Sequence, residues 1–219
     1  MSPLSRSLAA RWPRPGLLLL LLSLGWALAG CGSGVAPVLK IGLVAPFEGR
    51  YRRVGYDAIY AARLAVREIN AAGGIGPYRV ALVALDDGGD PALAFDVAAS
   101  LVTDPAVVAV VGHWLTPTTQ LAQRQVYTPA GLPLLPVGVS PFLPADPAGL
   151  PADFQAAYAA VTPFDEVAGP YAAPTYDAFY LLFAALAQAE AQGQITRVTV
   201  AQMLSDVEYP GITGRVYRP

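Results

Sequence analysis

Four short aliphatic runs, each followed by a different local pattern, constrain this chain more than any other feature. VLKIGLVAP (Val38–Pro46), YRVALVALDD (Tyr78–Asp87), AVVAVVG (Ala106–Gly112) and GLPLLPVG (Gly131–Gly138) are rich in β-branched and aliphatic residues. Runs of this length and composition read as strands covered on both faces. The stretches between them have helical spacing. Ile59, Ala62, Val66 and Ile69 recur on one side of a turn, and Gly73-Gly74 supplies a stop. Asp90-Pro91 has the chemistry of a helix cap followed by its first residue, with Leu93, Val97 and Leu101 on one face beyond it. A third helix is expected from about Thr119 to Thr128. Residues 38–140 therefore alternate strand and helix, which predicts an α/β fold with a doubly wound, mostly parallel sheet. Ligands of such sheets lie beyond the carboxyl ends of the strands. The loops of interest are then Phe47–Gly55, Asp86–Asp90, Gly112–Thr119 and Val137–Pro141.

The N-terminus has a different character. Arg6, Arg11 and Arg14 precede the apolar run GLLLLLLSLGWALAG, which is short for a membrane span of about 20 residues. Residues 1–30 read as a secretory leader. The run ends in LAGC, and Cys31 is the single cysteine of the chain. A lone cysteine forms neither an intrachain disulfide nor a cysteine metal cluster. LAGC resembles a bacterial lipobox, in which the cysteine becomes the lipidated N-terminus, and residues 31–37 then act as a tether. Loss of the three leader arginines leaves 11 of the 14 basic residues against 16 acidic ones, a net charge near −5. Without a basic block, nucleic acid is not an expected partner.

After Ser140 the pattern breaks. SPFLPADPAGLPADF carries Pro141, Pro144, Pro147 and Pro151 and reads as a loop. ADFQAAYAAV reads as a short helix, the stretch from about Pro174 as a long one, and VTVAQMLSDV as another, followed by the extended piece GITGRVYRP.

Few residues suggest chemistry. Asp86, Asp87 and Asp90 lack the spacing of a calcium loop and its distal Glu, and read as a strand-end turn and a helix cap. His113, the single histidine, could be assembled on paper with Ser140 and Asp86 into a hydrolase triad. There is no G-x-S-x-G elbow, and His113 reads as a packed strand-end residue. AAGGIG follows a helix rather than opening one, so it is no phosphate loop. No enzyme activity, metal or cofactor is expected.

Taken in order, LKIGLVAPFEGRYRRVGYDAIYAARLAVREINAAGGIG, ALVALDDGGDPALAFDVAASLV, VVAVVGHWLTPTTQLA, GPYAAPTYDAFYLLFAAL and GITGRV resemble the type I periplasmic binding proteins, in their branched-chain amino-acid (leucine/isoleucine/valine-binding) group. The resemblance runs from Leu39 to about Ser140 and again from Phe154 to Val216. In that family two α/β lobes close on an amino acid and deliver it to an ABC permease. It implies ligand contacts from Thr116 and Thr118 in GHWLTPTTQ, and from the Val139 carbonyl and the Ser140 hydroxyl in PVGVS. Pro117 stands where the family has a small residue. Thr116 also fits a helix-capping residue, and Ser140 a solvated loop serine. Glu48 replaces the family's small hydroxyl residue in the first loop and would disfavour a ligand carboxylate. Arg50, Arg52 and Arg53 either offset it or form a solvated face.

The resemblance also implies that residues 38–140 and 154–219 form lobe I, with residues 141–153 as a Pro-rich junction in place of lobe II. The expected protein is an extracytoplasmic, lipid-anchored solute-binding protein of an amino-acid importer, binding weakly through one lobe. The alternative is a non-binding interaction or structural lipoprotein, or a decaying fragment, that forms a homodimer through the exposed lobe face.

Overall fold

The strand β1 (Val38–Ala45) is the one on which the sheet is built. It pairs in parallel with β2 (Arg79–Asp86) on one side and β3 (Val107–Gly112) on the other. β4 (Leu134–Leu135) extends the sheet from β3, giving the order β2-β1-β3-β4 with every pairing parallel. The crossovers are α1 (Arg52–Ala71), α2 (Pro91–Thr103) and α3 (Thr116–Ala122). The computed structural model describes residues 35–218. Cys31 and the expected leader over residues 1–30 lie outside the described residues.

The period-two geometry of β1 divides the core. Leu39, Ile41 and Leu43 face one layer, formed by α1, α5 (Ala172–Ala191) and α6 (Arg197–Asp206). Val44 faces the other, formed by Leu101 of α2, Ala122 of α3 and Val126 and Tyr127 beyond it. Gly42 shares this second side, where a Cβ would come within 2.9 Å of Leu101. The missing side chain at Gly42 is what allows α2 to approach so closely. This is the doubly wound α/β lobe that the alternating pattern predicts.

Long-range polar contacts fix the helices to the sheet. Asn70, near the end of α1, both donates to the Val80 carbonyl at 2.8 Å and accepts from the Val80 N–H at 2.9 Å. Arg197, at the start of α6, donates to the carbonyls of Val102, Asp104 and Val107. On the face between α1 and α5, Tyr176 and Tyr180 both donate to Glu68 Oε2, at 2.6 and 2.7 Å.

Several element limits differ from the sequence reading. The fourth run forms only a two-residue strand, because Pro133 and Pro136 flank it and supply no N–H; Val137 then makes an isolated parallel bridge to Phe142. The helix expected from Thr119 begins at Thr116 and passes at Gln123–Tyr127 into a π-helical turn. The long helix starts at Ala172, ahead of Pro174, since proline fits a first helical turn. The extended C-terminus is a tight hairpin of β5 (Tyr209–Pro210) and β6 (Val216–Tyr217). α4 (Ala152–Ala159) is the short helix expected after the Pro-rich segment. That segment contains a one-turn 3-10 helix at Pro147–Gly149, capped by Asp146.

The hairpin docks on α5 through one carboxylate. Asp177 is fully buried and accepts from the N–H of Ile212 at 2.9 Å and from the N–H and hydroxyl of Thr213 at 3.3 and 2.9 Å. The ring of Tyr217 stacks on Phe142 at 4.5 Å, so the hairpin also covers the loop after β4. Replacing Asp177 with Ala strands these donors. We expect Asp177→Ala to lower the unfolding free energy by about 3 kcal/mol, as read by urea denaturation.

Candidate functional site

The loops at the carboxyl ends of β1 to β4 form one surface, braced from beneath by the aspartates. Asp86 Oδ1 accepts from Phe47 N at 2.7 Å and from Gly88 N at 2.8 Å, tying the loop after β1 to the turn after β2. Asp87 Oδ1 accepts from Gly89 N at 2.9 Å, and Asp90 caps α2 through the N–H groups of Ala92 and Leu93. The three carboxylates are thus engaged in turn and cap, as their spacing suggests. Among the described residues no group of three potential ligands converges on a metal position.

His113 is buried, with Nδ1 2.7 Å from Asp87 Oδ2 and Nε2 3.1 Å from the Tyr127 hydroxyl. An ionised Asp87 only accepts, so it requires the proton on Nδ1. Nε2 is then free to accept from Tyr127. Burial pushes the Tyr127 hydroxyl above its usual range, and the charge of Asp87 adds to this, so it stays protonated and able to donate. Both ring nitrogens are engaged inside the fold, which leaves none for Ser140. His113 is the packed strand-end residue that the sequence suggests. Tyr127 is its unforeseen partner, placed there by the π-helical turn.

Gly112 makes the turn into this loop possible. Its φ is +131°, and a Cβ there would lie 2.1 Å from the Val44 carbonyl oxygen. Beyond it the chain presents Thr116 at the first position of α3 with its side chain exposed. Thr118 is buried and its hydroxyl donates to the Leu115 carbonyl at 2.9 Å. It points into the helix because residues two apart on a helix face different ways. Thr119 likewise donates inward, to the His113 carbonyl at 2.8 Å.

The loop after β4 lies directly against the loop after β3. Gly138 packs on Trp114, where a Cβ would come 2.9 Å from the Trp114 carbonyl oxygen and 3.2 Å from its indole ring. This contact sets the Thr116 and Ser140 loops side by side. Val139 is half-buried and Ser140 exposed. Ser140 also stands at the rim of an apolar hollow of about 420 Å³ between β4 and α6, lined by Leu134, Phe142 and Leu204. Trp114 is 4% exposed, and its indole N–H finds no acceptor among the described residues. Sequence reasoning passed over Trp114; an aromatic residue next to the strand-end histidine was the available signal. Glu48, Arg50, Arg52 and Arg53 are all exposed. Arg50 lies over the Tyr51 ring at 5.3 Å.

Exposed hydroxyls stand at the carboxyl ends of adjacent parallel strands, the side on which ligands of parallel α/β sheets lie. The comparisons with known proteins make this specific. The sequence profile of the periplasmic binding proteins matches residues 38–147, and the chain belongs to that family. An amino acid binding protein of Pseudomonas aeruginosa is 34% identical over 119 residues, covering 54% of this chain and 31% of that protein. The Leu/Ile/Val-binding protein of Escherichia coli is 32% identical over 120 residues, covering 54% of this chain and 32% of that protein. The chain thus spans about a third of the length of these curated relatives. The structure of the branched-chain amino acid transporter substrate binding protein LivJ from Streptococcus pneumoniae, in complex with isoleucine, superposes with a TM-score of 0.67 at 18% identity. It covers 81% of this chain and 91% of that one. The fold is therefore that of a single lobe of a type I periplasmic binding protein, and the relatives are named as binding proteins, not enzymes.

The Asp87–His113 contact carries the organisation of this surface. Asp87→Ala leaves a buried imidazole and the Gly89 N–H without their acceptor. We expect a loss of about 3–5 kcal/mol in unfolding free energy, measured by chemical denaturation.

Proposed function

We propose that this chain is an extracytoplasmic solute-binding protein of an ABC importer for branched-chain or related amino acids. The observation that carries this reading is the match of residues 38–147 to the periplasmic binding protein family, at 32% identity to a Leu/Ile/Val-binding protein. In this reading residues 1–30 are a lipoprotein leader, Cys31 carries the lipid, and residues 31–37 tether the domain to the membrane. Among the described residues no helix is long and apolar enough to cross a membrane. Residues 38–140 and 154–219 act as lobe I, and residues 141–153 join its two parts.

The ligand's polar groups meet the exposed hydroxyls of Thr116 and Ser140 and the backbone carbonyl of Val139. Thr118 supports the turn instead, because its hydroxyl already donates to Leu115. A permease receives the ligand from this surface. One lobe buries only one side of a ligand, whereas pockets that bind tightly enclose most of it. Binding is therefore weak. Isothermal titration with leucine, isoleucine and valine should give millimolar dissociation constants, and Thr116→Ala should weaken them about fivefold, or about 1 kcal/mol. A micromolar or tighter constant for the monomer contradicts the single-lobe reading.

A second reading is favoured by the surface beside the Phe142–Tyr217 stack, where Leu143 is 46% and Val216 58% exposed. Here the chain acts as an interaction lipoprotein whose exposed lobe face pairs two copies. Light scattering separates the two: a stable dimer supports this reading, and a monodisperse monomer favours the first.

A further inference from the structure

A second polar cleft lies apart from the Thr116–Ser140 surface, between the start of α1 and the segment leading into α5. It holds about 480 Å³ and is lined by Arg53, Tyr56, Asp57, Glu166, Val167 and Tyr171. Its floor is the carboxylate of Asp57, which accepts from the Tyr171 N–H at 3.2 Å and from the Gly169 N–H. Gly169 is shaped to this carboxylate, since a Cβ there would lie 2.2 Å from Asp57 Oδ2. Asp57 thus holds the entry to α5 from a helix 114 residues away in the chain.

The charges around it do not balance. Asp57 and Glu166 are negative, and Arg53 is the one cation among the lining residues. Burial pushes the Asp57 carboxyl up to about 6, although the two backbone donors and Arg53 pull the other way and Glu166 adds to the rise. Tyr158 of α4 also faces this group, and burial with the charges of Asp57 and Glu166 drives its hydroxyl upward, so it stays neutral. Two acceptor oxygens that each carry spare lone pairs, in a cleft that Tyr56 and Tyr171 also line, suit a group with several N–H donors and a positive charge.

We propose that this cleft is a binding site for a small organic cation carrying a primary ammonium group, held by Asp57 and Glu166. The cleft shares Arg53 with the first loop, but neither Thr116 nor Ser140 lines it, and the proposal does not depend on the amino-acid reading. The volume leaves room for a short alkyl chain against Val167 and the tyrosines. Arg53 opposes the ligand and so limits affinity. Only ionised Asp57 accepts fully, so binding strengthens as pH rises through about 6 and weakens below it.

The test is a titration of the ¹⁵N-labelled protein with n-butylammonium chloride, followed by amide chemical shifts at matched ionic strength. Saturable shifts are expected at Gly169 and Tyr171 at about pH 7.5, with roughly tenfold weaker binding at about pH 5, one unit below the carboxyl's midpoint. Glu166→Gln, at an exposed position, should weaken binding severalfold without disturbing the fold. Arg53→Gln should strengthen it. Asp57→Asn, if its amide spectrum remains folded, should abolish both the binding and its pH dependence. Shifts that sodium butyrate or sodium chloride reproduce, shifts that do not saturate, or binding indifferent to both Glu166→Gln and Arg53→Gln would overturn the proposal. Tighter saturation of the same amides by calcium chloride would also overturn it, by making the cleft an inorganic cation site.

Discussion

A parallel strand cannot satisfy its backbone alone, and β1 is where this lobe meets that requirement. It takes hydrogen bonds from β2 on one edge and β3 on the other, and it sends alternate side chains into two separate layers. Every other element is placed by this. α1, α5 and α6 exist as a layer because Leu39, Ile41 and Leu43 need covering on one side. α2 and α3 cover Val44 and the bare Gly42 on the other. The strand also orients the functional surface, since parallel strands deliver all their carboxyl ends to one side.

On that side the chain divides the work between buried and exposed groups. Asp86, Asp87 and His113 are occupied with holding loops together, which explains why the most chemically suggestive side chains do no chemistry at the surface. The groups left facing outward are modest ones, the hydroxyls of Thr116 and Ser140. The Trp114–Gly138 contact keeps their loops in register. Such a surface offers hydroxyl groups at fixed positions.

Much of this was legible in the sequence, and the failures are instructive. The first three strands and the first two helices follow from aliphatic runs, helical spacing and Asp90-Pro91, all of them local signals. The reading of Asp86, Asp87 and Asp90 as turn and cap residues also holds for their contacts with Gly88, Gly89, Ala92 and Leu93, which are local, whereas the reach of Asp86 to Phe47 and of Asp87 to His113 is not. A motif gives residue order, whereas the helix phase decides which hydroxyl faces out, so the burial of Thr118 beside an exposed Thr116 was not legible. β4 came out shorter than its aliphatic run because Pro133 and Pro136 limit its pairing. Asp57 against Gly169 and Tyr171, and Tyr127 against His113, were invisible. Each joins distant segments, and neither residue is unusual in its own neighbourhood.

The two-layer arrangement has a consequence for how the chain is made. β1 begins at residue 38, yet α5, which shares the cover of its Leu39–Ile41–Leu43 face with α1 and α6, ends only at residue 191. On a ribosome the sheet emerges well before α5 does. For that interval the nascent chain carries a finished strand arrangement with this face covered by α1 alone. Chains dominated by such long-range closures fold slowly and are exposed to aggregation meanwhile. Under the extracytoplasmic function proposed above, export in an unfolded state would spare the protein that interval, by letting both layers close together after the whole chain has arrived.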